Sequence, residues 1–150
     1  MSKTVAFASD HRGYALKTLL IAKAGELGWQ VLDLGTDSET RCDSLDYAKK
    51  MAEALAGEIP PELGVLICGS GNGIAQAANR YASVIAAVAH DATTARMARE
   101  HNNANVMALG AHVVGQEVAL ECLAVFLRTP FLGGRYAARE VKLRALGGLK

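Results

Sequence analysis

The 150-residue sequence lacks a charge imbalance, a long apolar run and paired cysteines, and each absence excludes a class of protein. Sixteen Lys and Arg residues against 15 Asp and Glu residues leave a formal net charge of +1, which predicts neither a nucleic-acid partner nor a strongly charged protein partner. No segment reaches the roughly 18 apolar residues of a membrane span, and the first residues, MSKTVAFAS, are too weakly apolar for a signal peptide. We therefore expect a cytoplasmic protein that contacts no membrane and binds a small molecule.

The three cysteines, Cys42, Cys68 and Cys122, are too few and too scattered for a disulfide framework. Their number is odd, and the sequence has neither CxxC pairs nor histidines at metal-ligand spacing. Free thiols in a reducing compartment are therefore expected, and no metal site is predicted. The length matches one domain, residues 1–150, which buries roughly 70% of the surface of its unfolded chain.

Short apolar runs alternate with amphipathic ones along the chain, which predicts an α/β fold. We expect five strands at 4–9, 30–34, 64–68, 83–89 and 105–110. Helical patterns cover 14–27, 46–59, 74–81, 93–103 and 116–128, with a helical tail from about residue 134. The alternation favours a Rossmann-like three-layer α/β/α sandwich with a five-stranded parallel sheet and right-handed crossovers.

Ligands of such folds bind beyond the carboxyl ends of the strands, and polar residues follow the predicted strands of this sequence at these points. Asp10 and His11 come after the first strand, Cys68 ends the third, and His90 follows the fourth. A further helix ends in Arg99-Glu100-His101-Asn102-Asn103. Because that helix runs back from the sheet, its end is expected at the opposite edge.

The stretch CGSGNG, residues 68–73, predicts an anion cradle next to a thiol. Glycines at 69, 71 and 73 allow successive backbone N–H groups to point at one anion, and the following helix adds its positive end. The same field stabilises a thiolate, so Cys68 is a candidate base or nucleophile. The alternative is a small buried hydrophobe followed by a tight turn. A dinucleotide fingerprint and a P-loop both fail, since residue 74 is Ile and no Gly-Lys-Ser/Thr closes the motif.

Arg135 and Arg139 are four residues apart in the tail, which places them on one helical face. Two guanidinium groups in this arrangement could close on one anion. The alternative is an ordinary solvated helix face.

Four segments, ASDHRGYALK, CGSGNGIAQAANR, AHDATTARMAREHNNANVMALGA and FLGGRYAAR, occur in this order. With them the chain resembles the ribose-5-phosphate isomerase B family, which also contains the galactose-6-phosphate isomerase subunits. The resemblance implies an open parallel α/β/α sandwich that interconverts an aldose phosphate and its ketose. It also implies a homodimer, or a tetramer built from it, with active sites at the subunit interface and neither metal nor cofactor.

The resemblance assigns Cys68 the role of the base that moves a proton between C1 and C2 through a cis-enediol intermediate. Other members have glycine there and a glutamate at the position of Ile74, so this sequence resembles the thiol version. Ser70 would orient groups near O1. The developing enediolate would be stabilised by the loop that contains Gly69, Gly71, Asn72 and Gly73.

Further roles follow from the same resemblance. Asp10 and His101 resemble the pair that opens the furanose ring, one accepting and one donating a proton. Without it, Asp10 is interpreted as a helix N-cap and His101 as an exposed turn residue. The phosphate ligands would be His11, Arg135 and Arg139, and Asn102 would lie near the sugar hydroxyls.

Three departures from the family pattern lie near the expected sugar or phosphate. The chain has Asp43-Ser44-Leu45 where Asp-Tyr-Pro is frequent, His112 where arginine is frequent, and Tyr136 where histidine is usual. Ribose 5-phosphate and ribulose 5-phosphate are the first-choice pair. The alternatives are another phosphorylated sugar, a tetrose or a hexose such as galactose or allose 6-phosphate, and a non-catalytic sugar-phosphate-binding module.

Overall fold

The computed structural model describes residues 3–150, in which five parallel strands form a sheet. The strands are β1 (Thr4–Ser9), β2 (Gln30–Asp33), β3 (Leu63–Cys68), β4 (Ala86–Val88) and β5 (Val106–Gly110). Their order across the sheet is β2-β1-β3-β5-β4, and every neighbouring pair is parallel. The predicted α/β fold with a five-stranded parallel sheet is confirmed.

Six α-helices and one short 3₁₀ turn connect or follow these strands within residues 3–150. The 3₁₀ turn is His11–Gly13, and the helices are α1 (Tyr14–Glu26), α2 (Ser44–Leu55), α3 (Asn72–Ala78), α4 (Ala92–Asn102), α5 (Gln116–Arg128) and α6 (Arg135–Ala145). None of the helices in this part of the chain is long and apolar enough to cross a membrane.

The direction of each crossover decides which face of the sheet a helix covers. The steps from β1 to β2 and from β4 to β5 go one way along the sheet, and the other two steps go the opposite way. Right-handed crossovers therefore place α1 and α4 on one face and α2 and α3 on the other. The alternation along β1 agrees, since Val5 and Phe7 pack with α1, α4 and α5, whereas Ala6 and Ala8 pack with α2 and α3.

Element ends differ from the sequence prediction at several places, and helix α2, for example, runs from Ser44 to Leu55 rather than over 46–59. Strand β4 starts at Ala86 rather than at 83, because the backbone N–H groups of Val84 and Ile85 donate to Tyr81 O and to Asn105 Oδ1. Helix α3 begins at 72 and ends at 78 rather than spanning 74–81. After α6 the chain pairs Leu149 in parallel with Tyr81, which the helical pattern did not predict.

The sheet has a topological switch point between β1 and β3. The chain leaves β1 for β2 on one side, while β3 lies on the other side of β1. Such a switch opens a crevice between the carboxyl ends of the two strands, where ligands of open α/β sheets bind. Asp10 follows β1 directly and Cys68 is the last residue of β3. Both therefore lie at this crevice.

Candidate active site

Asp10 is held in place by the turn that it caps. Its Oδ1 accepts hydrogen bonds from the backbone N–H groups of Arg12 at 2.9 Å and Gly13 at 3.1 Å. Gly13 packs directly on β3, since a Cβ there would lie 2.7 Å from the carbonyl oxygen of Ile67. The turn thus brings Asp10 against the end of β3, and Asp10 is an N-cap that also lines the crevice.

The thiol of Cys68 is 6% exposed and accepts a hydrogen bond from the backbone N–H of Gly71, with 3.1 Å between Sγ and N. Gly71 has φ +82°, in the left-handed region, and a Cβ there would lie 3.0 Å from the backbone of Leu109. Only glycine fits this conformation and this close approach. The next residue, Asn72, donates its N–H to Ser70 Oγ at 3.1 Å.

The loop after β5 is tied to the glycine loop by two backbone hydrogen bonds. The N–H of Ala111 donates to Cys68 O at 2.8 Å, and the N–H of His112 donates to Gly69 O at 3.0 Å. His112 therefore stands beside the glycine loop with its side chain exposed.

Two adjoining clefts open at this edge of the sheet. The first, of about 370 Å³, holds the carboxyl, thiol and hydroxyl groups and is lined by Asp10, Arg12, Ser44, Cys68, Gly69, Ser70, Gly73, His112 and Val113. The second, of about 450 Å³, shares two of these residues and is lined by Asp10, His11, Arg12, Arg41, Cys42 and Asp43. In it, His11 Nδ1 accepts the backbone N–H of Cys42 at 3.2 Å, which leaves Nε2 for another contact. Together the two clefts present acid-base side chains and cationic side chains to a polar, negatively charged ligand.

The glycine loop is only partly the open cradle that the sequence predicts. The N–H of Gly71 points at the Cys68 thiol and that of Asn72 at the Ser70 hydroxyl. The first turn of α3 leaves the N–H groups of Gly73 and Ile74 without an intrahelical acceptor. Two N–H groups of the loop therefore bond side chains of the loop itself, and the N–H groups at the start of α3 remain as donors for a ligand.

The other predicted site residues form a separate group, here called the cation cluster: His101, Arg135, Tyr136 and Arg139. The rings of His101 and Tyr136 stack with 4.5 Å between centroids and 14° between planes. The guanidinium carbons of Arg135 and Arg139 lie 5.0 and 5.8 Å from the centroid of the same Tyr136 ring. Arg135 also donates to Tyr136 Oη at 2.9 Å. One aromatic ring thus gathers a histidine and two arginines.

Within one chain, the cation cluster lies at the opposite edge of the sheet from Cys68. His101 and Asn102 end α4, and the following Asn105 accepts the N–H of Ile85 at 2.8 Å, just before β4 and β5 begin. The length of β3, about 17 Å at ~3.3 Å per residue, separates this edge from Cys68. The structure therefore does not bring His101, Asn102 and the two arginines to Cys68. Asn102 lines a different cavity, of about 350 Å³, under the C-terminal tail.

A hydrogen-bond chain holds the cation cluster in place. Arg99 Nη1 donates to Asn103 Oδ1 at 3.0 Å, and Asn103 Nδ2 donates to Glu140 Oε1 at 2.8 Å. Arg144 Nε donates to the same Glu140 oxygen at 2.9 Å. The hydrogen bonds from Arg144 and Asn103 hold the pKa of Glu140 below its usual value. Of these contacts, the hydrogen bond between Asn103 and Glu140 joins α6 to the end of α4, and the other two hold its partners in place.

Two arginines that the structure places at the clefts beside Cys68 were not singled out from the sequence. Arg12 and Arg41 line the clefts although only their neighbours were singled out. The signal for Arg12 was its place directly after β1, in the same run as Asp10 and His11. Arg41 carries no comparable signal, since it lies in a long connection.

The structure also shows the state of the cysteines and whether potential metal ligands lie together. All three cysteines are free thiols, and burial raises the pKa of Cys122 to about 11, so this thiol stays protonated in the core. Across the described residues 3–150, no three His, Cys, Asp or Glu side chains are grouped so that they could hold a metal ion.

The sequence and the fold of this chain have counterparts among known proteins. A model of the family described as Ribose/Galactose Isomerase matches residues 5–143. The chain belongs to the ribose/galactose isomerase family. Ribose-5-phosphate isomerase B of Escherichia coli (strain K12) is 40% identical to it over 145 residues, which cover 96% of each protein.

Solved structures of the family agree. Ribose-5-phosphate isomerase B of Clostridium thermocellum superposes with a TM-score of 0.91 at 40% identity, covering 95% of this chain and 96% of that one. A ribose 5-phosphate isomerase of Thermotoga maritima gives a TM-score of 0.90 at 40% identity, covering 97% and 99%. The expected family is confirmed, and the prediction of an aldose-ketose isomerase is confirmed at the level of that family.

Proposed function

We propose that this chain interconverts ribose 5-phosphate and ribulose 5-phosphate in the cytoplasm, as a homodimer whose two active sites each draw on both subunits. The observation that carries the proposal is the placement of Cys68 and Asp10 in one cleft at the switch point of a ribose/galactose isomerase fold. Relatives named as ribose-5-phosphate isomerase B support the choice of sugar. Free thiols fit a reducing compartment.

Cys68 is the base in this proposal. Its thiolate removes the proton from C2 of the open-chain aldose, the electrons of that C–H bond form the C1–C2 double bond, and O1 becomes the enediolate oxygen. The proton on O2 passes to O1 through the Ser70 hydroxyl or solvent. The thiol then returns its proton to C1, and O2 becomes the ketose carbonyl. The Gly71 N–H donates a hydrogen bond to the sulfur that acts as the base. The free N–H groups at the start of α3 can donate to the enediolate oxygen.

Ring opening needs a second acid-base pair. One group takes the proton of the anomeric hydroxyl while the other protonates the ring oxygen as the C1–O4 bond breaks. Both backbone hydrogen bonds to Asp10 use Oδ1, so Oδ2 is not committed to the turn. The second member of the pair would be the partner subunit's His101.

The division of these residues within one chain supports the proposed dimer. A cleft with a thiol and a carboxylate lies at one edge, and the cation cluster with its two arginines lies at the other. Apolar side chains are exposed at both places: Leu45 and Val113 beside the cleft, and Leu132 and Val141 beside the cluster. Exposed apolar groups of this size suit burial in an interface. Two copies related by a twofold axis would complete each other's sites.

A hexose phosphate is the second candidate substrate. Ser44 lines the Cys68 cleft at the position where the family resemblance predicts tyrosine. A serine leaves more room there, which favours a six-carbon sugar. A non-catalytic binding module is the remaining alternative.

A panel of four-, five- and six-carbon aldose phosphates, assayed side by side for ketose formation, tests the proposal. Ribose 5-phosphate should have the highest kcat/KM. A higher value for a hexose or tetrose phosphate would change the substrate and keep the isomerase. Binding of ribose 5-phosphate without turnover of any sugar in the panel would instead indicate a binding module.

A further inference from the structure

Arg12 lies across the glycine loop at the centre of the candidate site. It is the middle residue of the 3₁₀ turn capped by Asp10. Its Cδ and Nη1 atoms lie 3.2 and 3.3 Å from the point where a Cβ on Gly69 would stand, and His112 Nδ1 lies 3.7 Å from the same point. The absence of a side chain at Gly69 therefore leaves room over the loop for both the guanidinium of Arg12 and the imidazole of His112.

The guanidinium of Arg12 has no carboxylate partner. None of the ion pairs found within residues 3–150 involves this side chain. Two carboxylates lie nearby, and each accepts backbone N–H groups through Oδ1, Asp10 from its own turn and Asp43 from Leu45, while neither pairs with Arg12. Arg12 is exposed and lines both clefts. A permanently charged fork donor in this state is available to an anion.

We propose that Arg12 is an additional ligand of the substrate's phosphate group and binds it from the Cys68 side of the site. The inference rests on the proposed function and names a binding residue for it. Gly69 directly follows Cys68, and neighbouring Cα atoms are about 3.8 Å apart. The guanidinium over Gly69 is thus close enough to the Cys68 thiol for one five-carbon sugar phosphate to reach both groups. Phosphate would be held between Arg12 and the arginines of the partner's cation cluster.

Steady-state kinetics of Arg12→Gln, with Arg128→Gln as control, test the inference. Arg128 is exposed at the end of α5 and lies outside both clefts. Arg12→Gln should raise KM for ribose 5-phosphate, and the inhibition constant for inorganic phosphate, by roughly ten- to hundredfold with little change in kcat. Arg12→Lys should fall between Arg12→Gln and the wild type, because ammonium keeps the charge and loses the fork.

A rescue variant separates phosphate binding from a structural role. Position 112 flanks the same glycine, so adding His112→Arg to Arg12→Gln should recover most of the lost phosphate affinity. An unchanged KM and inhibition constant in Arg12→Gln would overturn the inference, as would a loss confined to kcat or a failure of the double variant to recover. Direct titration of the wild type and of Arg12→Gln with inorganic phosphate tests the role of Arg12 without any turnover. If ribose 5-phosphate is not turned over, the proposed function fails, but this binding test still decides the inference on Arg12.

Discussion

At Cys68, one backbone donor and one missing side chain set the surroundings of the thiol. The Gly71 N–H reaches Sγ because the chain turns through a left-handed conformation directly after the strand. The alternative interpretation of Cys68 as a small buried hydrophobe is partly right, since the residue is buried, yet its thiol lines the cleft. Its role as the base stays a prediction.

Cys68→Ser should abolish most turnover and keep the fold. A hydroxyl has nearly the volume of a thiol but is far too weak a base at neutral pH, so kcat should fall at least about a hundredfold. Ketose formation from ribose 5-phosphate measures the loss, and circular dichroism checks the fold. Cys42→Ser is the matched control, because it removes a thiol from the adjoining cleft while the backbone N–H of residue 42 still donates to His11 Nδ1. Near-normal kcat in Cys68→Ser would remove the thiol from the mechanism.

Gly71→Ala should cost both stability and activity. A Cβ at φ +82° is strained and would press on the backbone of Leu109 and Gly110, at 3.0 and 3.1 Å. We expect a loss of about 1–3 kcal/mol in the free energy of unfolding and a lower kcat, because the N–H donor shifts away from Sγ. Gly25→Ala is the control, since a Cβ there meets nothing within 4 Å inside α1. Chemical denaturation and the isomerase assay measure the two effects; equal stability of both variants would contradict this account of the loop.

At the scale of the elements, the α4–α6 joint decides where the cation cluster stands. Helix α6 has no buried residue, so its position against α4 depends on few contacts: Tyr136 stacks on His101, and Glu140 accepts a hydrogen bond from Asn103. The sequence predicts the helix and the spacing of its arginines. It could not predict this docking, because the hydrogen bond between Asn103 and Glu140 joins residues that lie far apart in the sequence.

Glu140→Gln should loosen α6. The folded-state pKa of Glu140 lies below its usual value of 4.5, so the ionised carboxylate stabilises the joint above that pH and its contribution is lost as the pH falls through the lower folded value. Hydrogen exchange at neutral pH should show roughly two- to fivefold lower protection of α6 in the variant. The stacking-induced NMR shifts of His101 and Tyr136 should weaken on acidification below pH 4.5 in the wild type.

The matched control for this joint is Glu53→Gln, which removes an exposed carboxylate that pairs with Lys49 on α2. It should leave the protection of α6 unchanged. Unaltered protection of α6 in Glu140→Gln as well would show that the joint does not depend on the carboxylate.

The strands show the limits of prediction at this scale. Strands β1 and β3 are buried apolar runs, and their predicted positions hold within one residue. The run at 83–89 looks equally apolar, but its first residues turn to bond Tyr81 and Asn105, so only Ala86–Val88 joins the sheet. Periodicity reports burial, whereas strand ends depend on which backbone groups find partners elsewhere.

For the whole molecule, the separation of Cys68 from the cation cluster is the central feature. Both halves contain residues that the sequence singled out, and the helix direction alone placed His101 at the far edge. In the proposed dimer the contacts that join the two halves lie between copies, so they follow from no pattern within one chain. The dimer and the single domain 1–150 therefore stay predictions.

Complementation between two inactive variants tests the shared site most directly. One chain carries Cys68→Ser, and the other carries His101→Asn with Arg139→Ala; each alone should have little ribose 5-phosphate isomerase activity. After co-refolding at equal amounts, half of the dimers are mixed and each has one site with no substituted residue, so activity should return to about a quarter of the wild-type value. Activity no higher than the mean of the two separate variants would contradict a site built from both subunits.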